Sequence, residues 1–126
     1  ARGGPVPANL TCGGPLDHAS TLDAIAASSA VVSTSVRESQ GVALLEGMAL
    51  GRPVVAPDHS GCAEVVGRGK YGLAYAFGSR EDLAEKLQEA LASPDIGARG
   101  RERVLEEYAW SKAIVKVDQV YSGLSR

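Results

Sequence analysis

The sequence predicts an α/β fold, a mostly parallel sheet of about four strands flanked by helices. Three observations carry this. Short apolar runs at residues 30–36, 53–57 and 73–77 have the length of strands and no helical spacing. The stretches at 42–50, 79–92, 95–108 and 112–123 instead repeat apolar residues at helical intervals. Gly41, Gly51, Pro53, Gly78 and Pro94 punctuate the junctions. Strands that alternate with helices have the crossovers a parallel sheet needs.

Residues 1–7 are rich in Gly and Pro and are expected to be a disordered lead-in to one domain over 8–126. Residues 8–12 are half-apolar and predict a first strand, followed by a turn at Gly13-Gly14-Pro15. Asp17 can cap a helix over 19–27, with Leu22, Ile25 and Ala26 on one face. The run 30–36 reads as a buried strand of a parallel sheet. Glu38-Ser39-Gln40-Gly41 forms a tight polar turn before a helix over 42–50. Val42, Leu45, Met48 and Ala49 are its expected inner stripe. Gly51 stops that helix, and the strand at 53–57 follows between two prolines.

Residues 58–66 read as a loop and short helix. Gly67, Gly69 and Gly72 match the spacing of a dinucleotide fingerprint, but they precede the strand at 73–77 instead of following one, so that reading is rejected. The helix at 79–92 has Ser79 as N-cap, Asp82 to complete a capping box, and Leu83, Leu87 and Leu91 as its stripe. A helix at 95–108 is weakened by Gly97 and Gly100. After a break near Trp110, a last helix at 112–123 carries Ile114, Val117, Val120 and Tyr121. Trp110 and Tyr121 are read as packing residues.

Composition narrows the function classes. At 126 residues the chain holds one domain at most, with room for a modest core. Thirteen basic and fifteen acidic residues give a net charge of −2, which argues against a nucleic-acid partner. Aromatic residues at 5% leave few stacking platforms for single strands. No apolar run reaches the roughly 18 residues of a membrane span, and the N-terminus does not resemble a signal peptide. Cys12 and Cys62 have no Cys-x-x-Cys partners, so two reduced, buried or half-buried thiols are expected, with no metal site. A cytoplasmic location follows.

The chemistry concentrates in the turn at 38–41. It places the N–H groups of Gly41, Val42 and Ala43 at a helix N-terminus, where free donors and the helix dipole favour an anion. Gly41 lets a ligand approach the backbone closely. Glu38 in the turn and Glu46 in the helix flank these donors, and a carboxylate can accept from two adjacent hydroxyls. Phosphate at the centre with hydroxyls at both ends describes a nucleotide sugar.

These residues resemble a known signature. Glu38-x7-Glu46 with Leu-Glu-Gly-Met-Ala-Leu-Gly-Arg-Pro-Val-Val-Ala is similar to the E-x7-E motif of GT-B glycosyltransferases, in particular the retaining family 4 (glycosyl transferases group 1). Gly41, Glu46, Met48, Ala49, Gly51, Pro53, Val54 and Val55 match the family pattern in register, whereas Ser39, Gln40 and Gly47 depart from it. Gly61 and Glu64 parallel a later family segment near the donor's sugar end, and Leu16 and Asp17 stand where family members meet the nucleotide base. His59 in that later loop is read as solvated or locally hydrogen-bonded.

The resemblance implies a partial Rossmann-like (GT-B C-terminal) domain, lacking the acceptor domain and the first strands of its own domain. Those strands carry a phosphate-neutralising Arg and Lys in the family; Arg37 and Lys70 are poor substitutes. It further implies a retaining transfer of a hexosyl group from a UDP- or GDP-sugar, with no cofactor. Glu38 is the catalytic candidate, holding hydroxyls of the transferred sugar. Ser39, Gln40, Gly41, Val42, Ala43, Glu46, Leu16 and Asp17 are the other donor-binding candidates. The acceptor, a glycan or a lipid at the inner membrane face, is read by the missing N-terminal domain, so the isolated chain is expected to be inactive. The alternatives are a fragment of a nucleotide-sugar 2-epimerase, for which only His18 and His59 offer acid–base chemistry, and a non-catalytic α/β binding module.

Overall fold

A computed structural model describes residues 7–124 of the chain. Helix α1 (His18–Ala27) leads into strand β1 (Val31–Val32), helix α2 (Val42–Ala49) and strand β2 (Val54–Pro57). Helix α3 (Ser60–Val65) and a single 3₁₀ turn (Gly67–Gly69) precede strand β3 (Leu73–Tyr75). Helices α4 (Arg80–Ala92) and α5 (Asp95–Arg103) follow, then a π-turn (Val104–Tyr108) and the long helix α6 (Trp110–Leu124). The three strands are parallel and pair in chain order, with Val31 opposite Val54 and Val55 opposite Leu73.

β2 lies at the centre, and all four of its residues are buried. Alternation along it sends side chains to both faces. Val54 and Ala56 pack with Leu44 and Met48 of α2 and Cys62, Val65 and Val66 around α3. Val55 packs on the other face with Leu73, Tyr75, Ala90 of α4 and Ile96 of α5. The result is the expected α/β arrangement of helix, sheet and helix layers.

Several details differ from expectation. Residues 8–12 form no strand; Leu10 N–H turns back to the Pro7 carbonyl at 2.9 Å, and the segment is exposed. The sheet therefore has three strands, because a short strand needs a neighbour to satisfy its backbone groups. β1 is shorter than the run 30–36 and is not fully buried, with Val32 40% exposed. Only β2 flanks it, so beyond the Ser33 N–H bond to Val55 O the chain leaves the sheet.

The inner face of α2 is Leu44, Gly47 and Met48, whereas Val42 is 57% exposed. Spacing the large residues passed over Gly47, which seats the helix directly on Val31 and Val54. The expected stripe on α4 likewise fails at Leu91, which is exposed, and Ala90 is buried in its place. Ser79 Oγ does accept the Asp82 N–H at 3.1 Å, but Asp82 returns to Ala76 N at 2.6 Å and leaves the capping box open.

The glycines of α5 do not simply weaken it. A Cβ at Gly97 would collide with the Gly51 carbonyl, and one at Gly100 would lie 3.0 Å from both Met48 Cγ and Tyr71 O. Close approach of α5 to the end of α2 requires both. Arg101 reinforces the contact by donating to Ala49 O at 3.0 Å. Cys62 is buried as expected, but Cys12 is exposed. Trp110 is also exposed, at 79%, and packs into no core here. It belongs to an outer face of α6 that includes Ile114, Val117, Val120 and Tyr121. The lead-in at residues 1–7 falls outside the described residues apart from Pro7.

Candidate functional site

Gly41 adopts φ 68° and ψ 51°, the left-handed conformation that glycine enters without steric cost. From there the chain enters α2 with Leu44 N–H and Leu45 N–H both directed to the Gly41 carbonyl, at 2.9 and 3.1 Å. Among the described residues no protein acceptor takes the N–H groups of Gly41, Val42 or Ala43. Val42 and Ala43 are exposed, whereas Gly41 itself is buried, with Leu44 Cδ1 only 3.2 Å from where its Cβ would stand. An open helix start of this kind attracts anions.

Glu38 lies beside this opening. A Cβ placed on Gly41 would sit 3.7 Å from Glu38 Cγ, which puts the stem of the carboxylate against the glycine. Glu46 is half-buried and one helical step of four residues beyond exposed Val42, hence on the same face. Its carboxylate meets α1: Oε1 is 3.6 Å from His18 Nδ1. Leu16 and Asp17 are exposed just ahead of α1. Asp17 Oδ1 accepts the Ser20 N–H at 2.8 Å, and that bond from the helix start holds its carboxyl below the ordinary value. Asp17 is therefore the N-cap of α1.

Ser39 and Gln40 stand apart from this group. They line an open cleft of about 410 Å³ with Gly61, Glu64, Val65 and Tyr108. Gly41, Glu46 and His18 are not among the residues that line that cleft.

The turn is fixed from behind by α3. Gly61 N–H donates to Glu38 O at 2.9 Å, and any Cβ on Gly61 would overlap the Ser39 carbonyl. The sequence placed Gly61 in a matching segment but gave no reason for it; a contact across 23 residues has no local signal. His18 was weighed only as an acid–base group, and its position directly after the N-cap was the clue to its exposure. His59 is not simply solvated: its ring lies 4.1 Å from that of Phe77, and its Nδ1 is enclosed without a protein partner. Lys70 sits over the Tyr71 ring at 4.9 Å, and Arg37 is exposed near the turn.

Known proteins resemble this chain across most of its length. A family model described as glycosyl transferases group 1 matches residues 6–109. An alpha-maltose-1-phosphate synthase from Mycolicibacterium smegmatis is 33% identical over 111 residues, which is 80% of this chain and 29% of that protein. A D-inositol 3-phosphate glycosyltransferase from Gordonia bronchialis is 32% identical over 115 residues, 89% of this chain and 24% of its own. Among solved structures, sucrose-phosphate synthase from Thermosynechococcus elongatus superposes with a TM-score of 0.71 at 30% identity, over 80% of this chain and 26% of that one. The chain thus spans between about a quarter and three-tenths of the length of these relatives.

Proposed function

The chain belongs to the glycosyl transferases group 1 family, and on that premise we propose that it is the donor-binding segment of a retaining hexosyltransferase using a nucleotide-diphosphate sugar. The observation that supports this reading most is the start of α2, where the N–H groups of Gly41, Val42 and Ala43 have no protein acceptor among the described residues and Glu38 lies against Gly41. In the proposed complex the diphosphate lies at the N–H groups of Gly41, Val42 and Ala43. Charge growing on the departing diphosphate is then met by fixed donors and by the positive end of the helix dipole.

Glu38 accepts hydroxyls of the transferred sugar and orients its anomeric carbon. Glu46 accepts the two ribose hydroxyls, and the exposed backbone near Leu16 and Asp17 meets the base edge. Ser39 and Gln40, at the rim of the adjoining cleft, contact the sugar's far side. Further cations for the diphosphate, the acceptor site and any general base come from the rest of the full-length protein. The isolated chain is accordingly expected to show no turnover.

No helix among the described residues is long and apolar enough to cross a membrane. We propose a cytoplasmic enzyme whose acceptor is a glycan or a lipid-linked glycan at the inner membrane face.

Calorimetry on the full-length protein tests the ribose role. Charge-assisted hydrogen bonds contribute about 1.5–3 kcal/mol, so Glu46→Ala is expected to weaken nucleotide-sugar binding roughly 10- to 100-fold. Unchanged affinity would refute the role.

A further inference from the structure

Glu46 meets a single basic side chain among the described residues, and it comes from another helix. His18 Nδ1 approaches Glu46 Oε1 at 3.6 Å; the His18 side chain is 73% exposed and that of Glu46 only 22%. The separation is too long for a well-formed hydrogen bond but within the range of charge attraction. It engages Oε1, and among the described residues no hydrogen bond or ion pair reaches Oε2.

The placement of His18 is itself held. It is the first residue of α1, and its neighbour Asp17 anchors the helix start through the 2.8 Å bond from Ser20 N–H. Thr21 Oγ1 adds a second tie to Asp17 O at 2.8 Å. α1 packs on α2, and Glu46 is the one ionisable residue of α2. On its own side His18 faces the Asp17 carboxylate; Asp23, the other ionisable residue of α1, lies five residues further round the helix.

We propose that His18 is a positioning residue for Glu46, holding one carboxylate oxygen so that the other faces the ribose hydroxyls. This rests on the reading of Glu46 as the ribose grip. A free glutamate side chain must surrender rotamer freedom to accept two fixed hydroxyls, and an anchor on one oxygen removes part of that cost before the donor arrives. The anchor is stronger when the imidazole carries its proton, because the contact is then an ion pair. Donor affinity is therefore expected to rise as the pH falls.

The experiment is titration calorimetry of the full-length protein with UDP-glucose and GDP-mannose, whose bridging diphosphates do not titrate in this range, at pH 6 and pH 8. The unaltered protein is expected to bind its preferred probe about two- to five-fold tighter at pH 6, the range set by an exposed ion pair. His18→Gln is expected to lose that pH dependence and to bind at the weaker level throughout, with the melting temperature unchanged. The double variant His18→Gln/Glu46→Ala is expected to bind no more weakly than Glu46→Ala alone.

A His18→Gln protein that keeps both the affinity and the pH slope overturns the proposal while leaving the ribose reading standing if Glu46→Ala is impaired. Additive losses in the double variant also overturn it, since His18 would then act on the ligand and not through Glu46. Unimpaired Glu46→Ala, or no binding of either probe by the unaltered protein, removes the ribose reading and this inference with it.

Discussion

Two glycines show how the same residue type is required by different neighbours. In an exposed helix interior, replacing glycine by alanine is expected to stabilise by about 1 kcal/mol. At Gly97 the sign reverses, because the added methyl meets the Gly51 carbonyl. Overpacking of this kind costs roughly 1–3 kcal/mol, so Gly97→Ala is expected to lower stability in chemical denaturation of the full-length protein. At Gly61 the added methyl meets the Ser39 carbonyl and displaces the turn that carries Glu38. Gly61→Ala is thus expected to reduce nucleotide-sugar affinity beyond any loss of stability, whereas Gly97→Ala leaves affinity intact. Equal affinities for the two variants would show that α3 does not set the turn. Neither glycine announced its role in the sequence: Gly97 read as a weak helix position and Gly61 as a motif match, because the partner carbonyls lie 46 and 22 residues away.

At the scale of the elements, sequence and structure agree where local chemistry decides and part where neighbours decide. The Ser79 and Asp17 caps, the αL stop after α2 and the strand between two prolines were all legible, since each depends on residues within a few positions. The inner face of α2 was not, because Gly47 was chosen by the sheet and not by hydrophobicity. The strand at 8–12 was over-read for the complementary reason: half-apolar composition does not supply a pairing edge. The cap of α1 also has a pH signature. Ser20 N–H lowers the Asp17 carboxyl below its ordinary 3.8, so the folded form binds the proton less readily than the unfolded chain. The cap's contribution is complete above about that pH and is lost as the pH falls through the lower folded-state value. Asp17→Asn, which can still cap, is expected to flatten the acid limb of the stability curve measured by thermal melts between pH 2.5 and 6. An unchanged acid limb would mean that other carboxylates account for it.

For the whole molecule, the sequence resolved the class of fold but over-read the sheet by one strand. The order β1-β2-β3 pairs successive strands directly, which the alternation of strands and helices permitted. The outward face of α6 was less legible, because Trp110, Ile114, Val117 and Val120 repeat at helical spacing as a packing face would, yet stand exposed. That Ser39 and Gln40 line a cleft with Gly61, Glu64, Val65 and Tyr108 was not legible either, because those partners lie more than 20 residues away in sequence. The proposed function depends most on the amides at the start of α2. A crystal structure of the full-length protein with a bound nucleotide sugar tests it most directly. The diphosphate is expected within hydrogen-bonding distance of Gly41 N and Val42 N, with Glu46 on the ribose hydroxyls. A nucleotide bound away from the start of α2, with those amides still open, would contradict it.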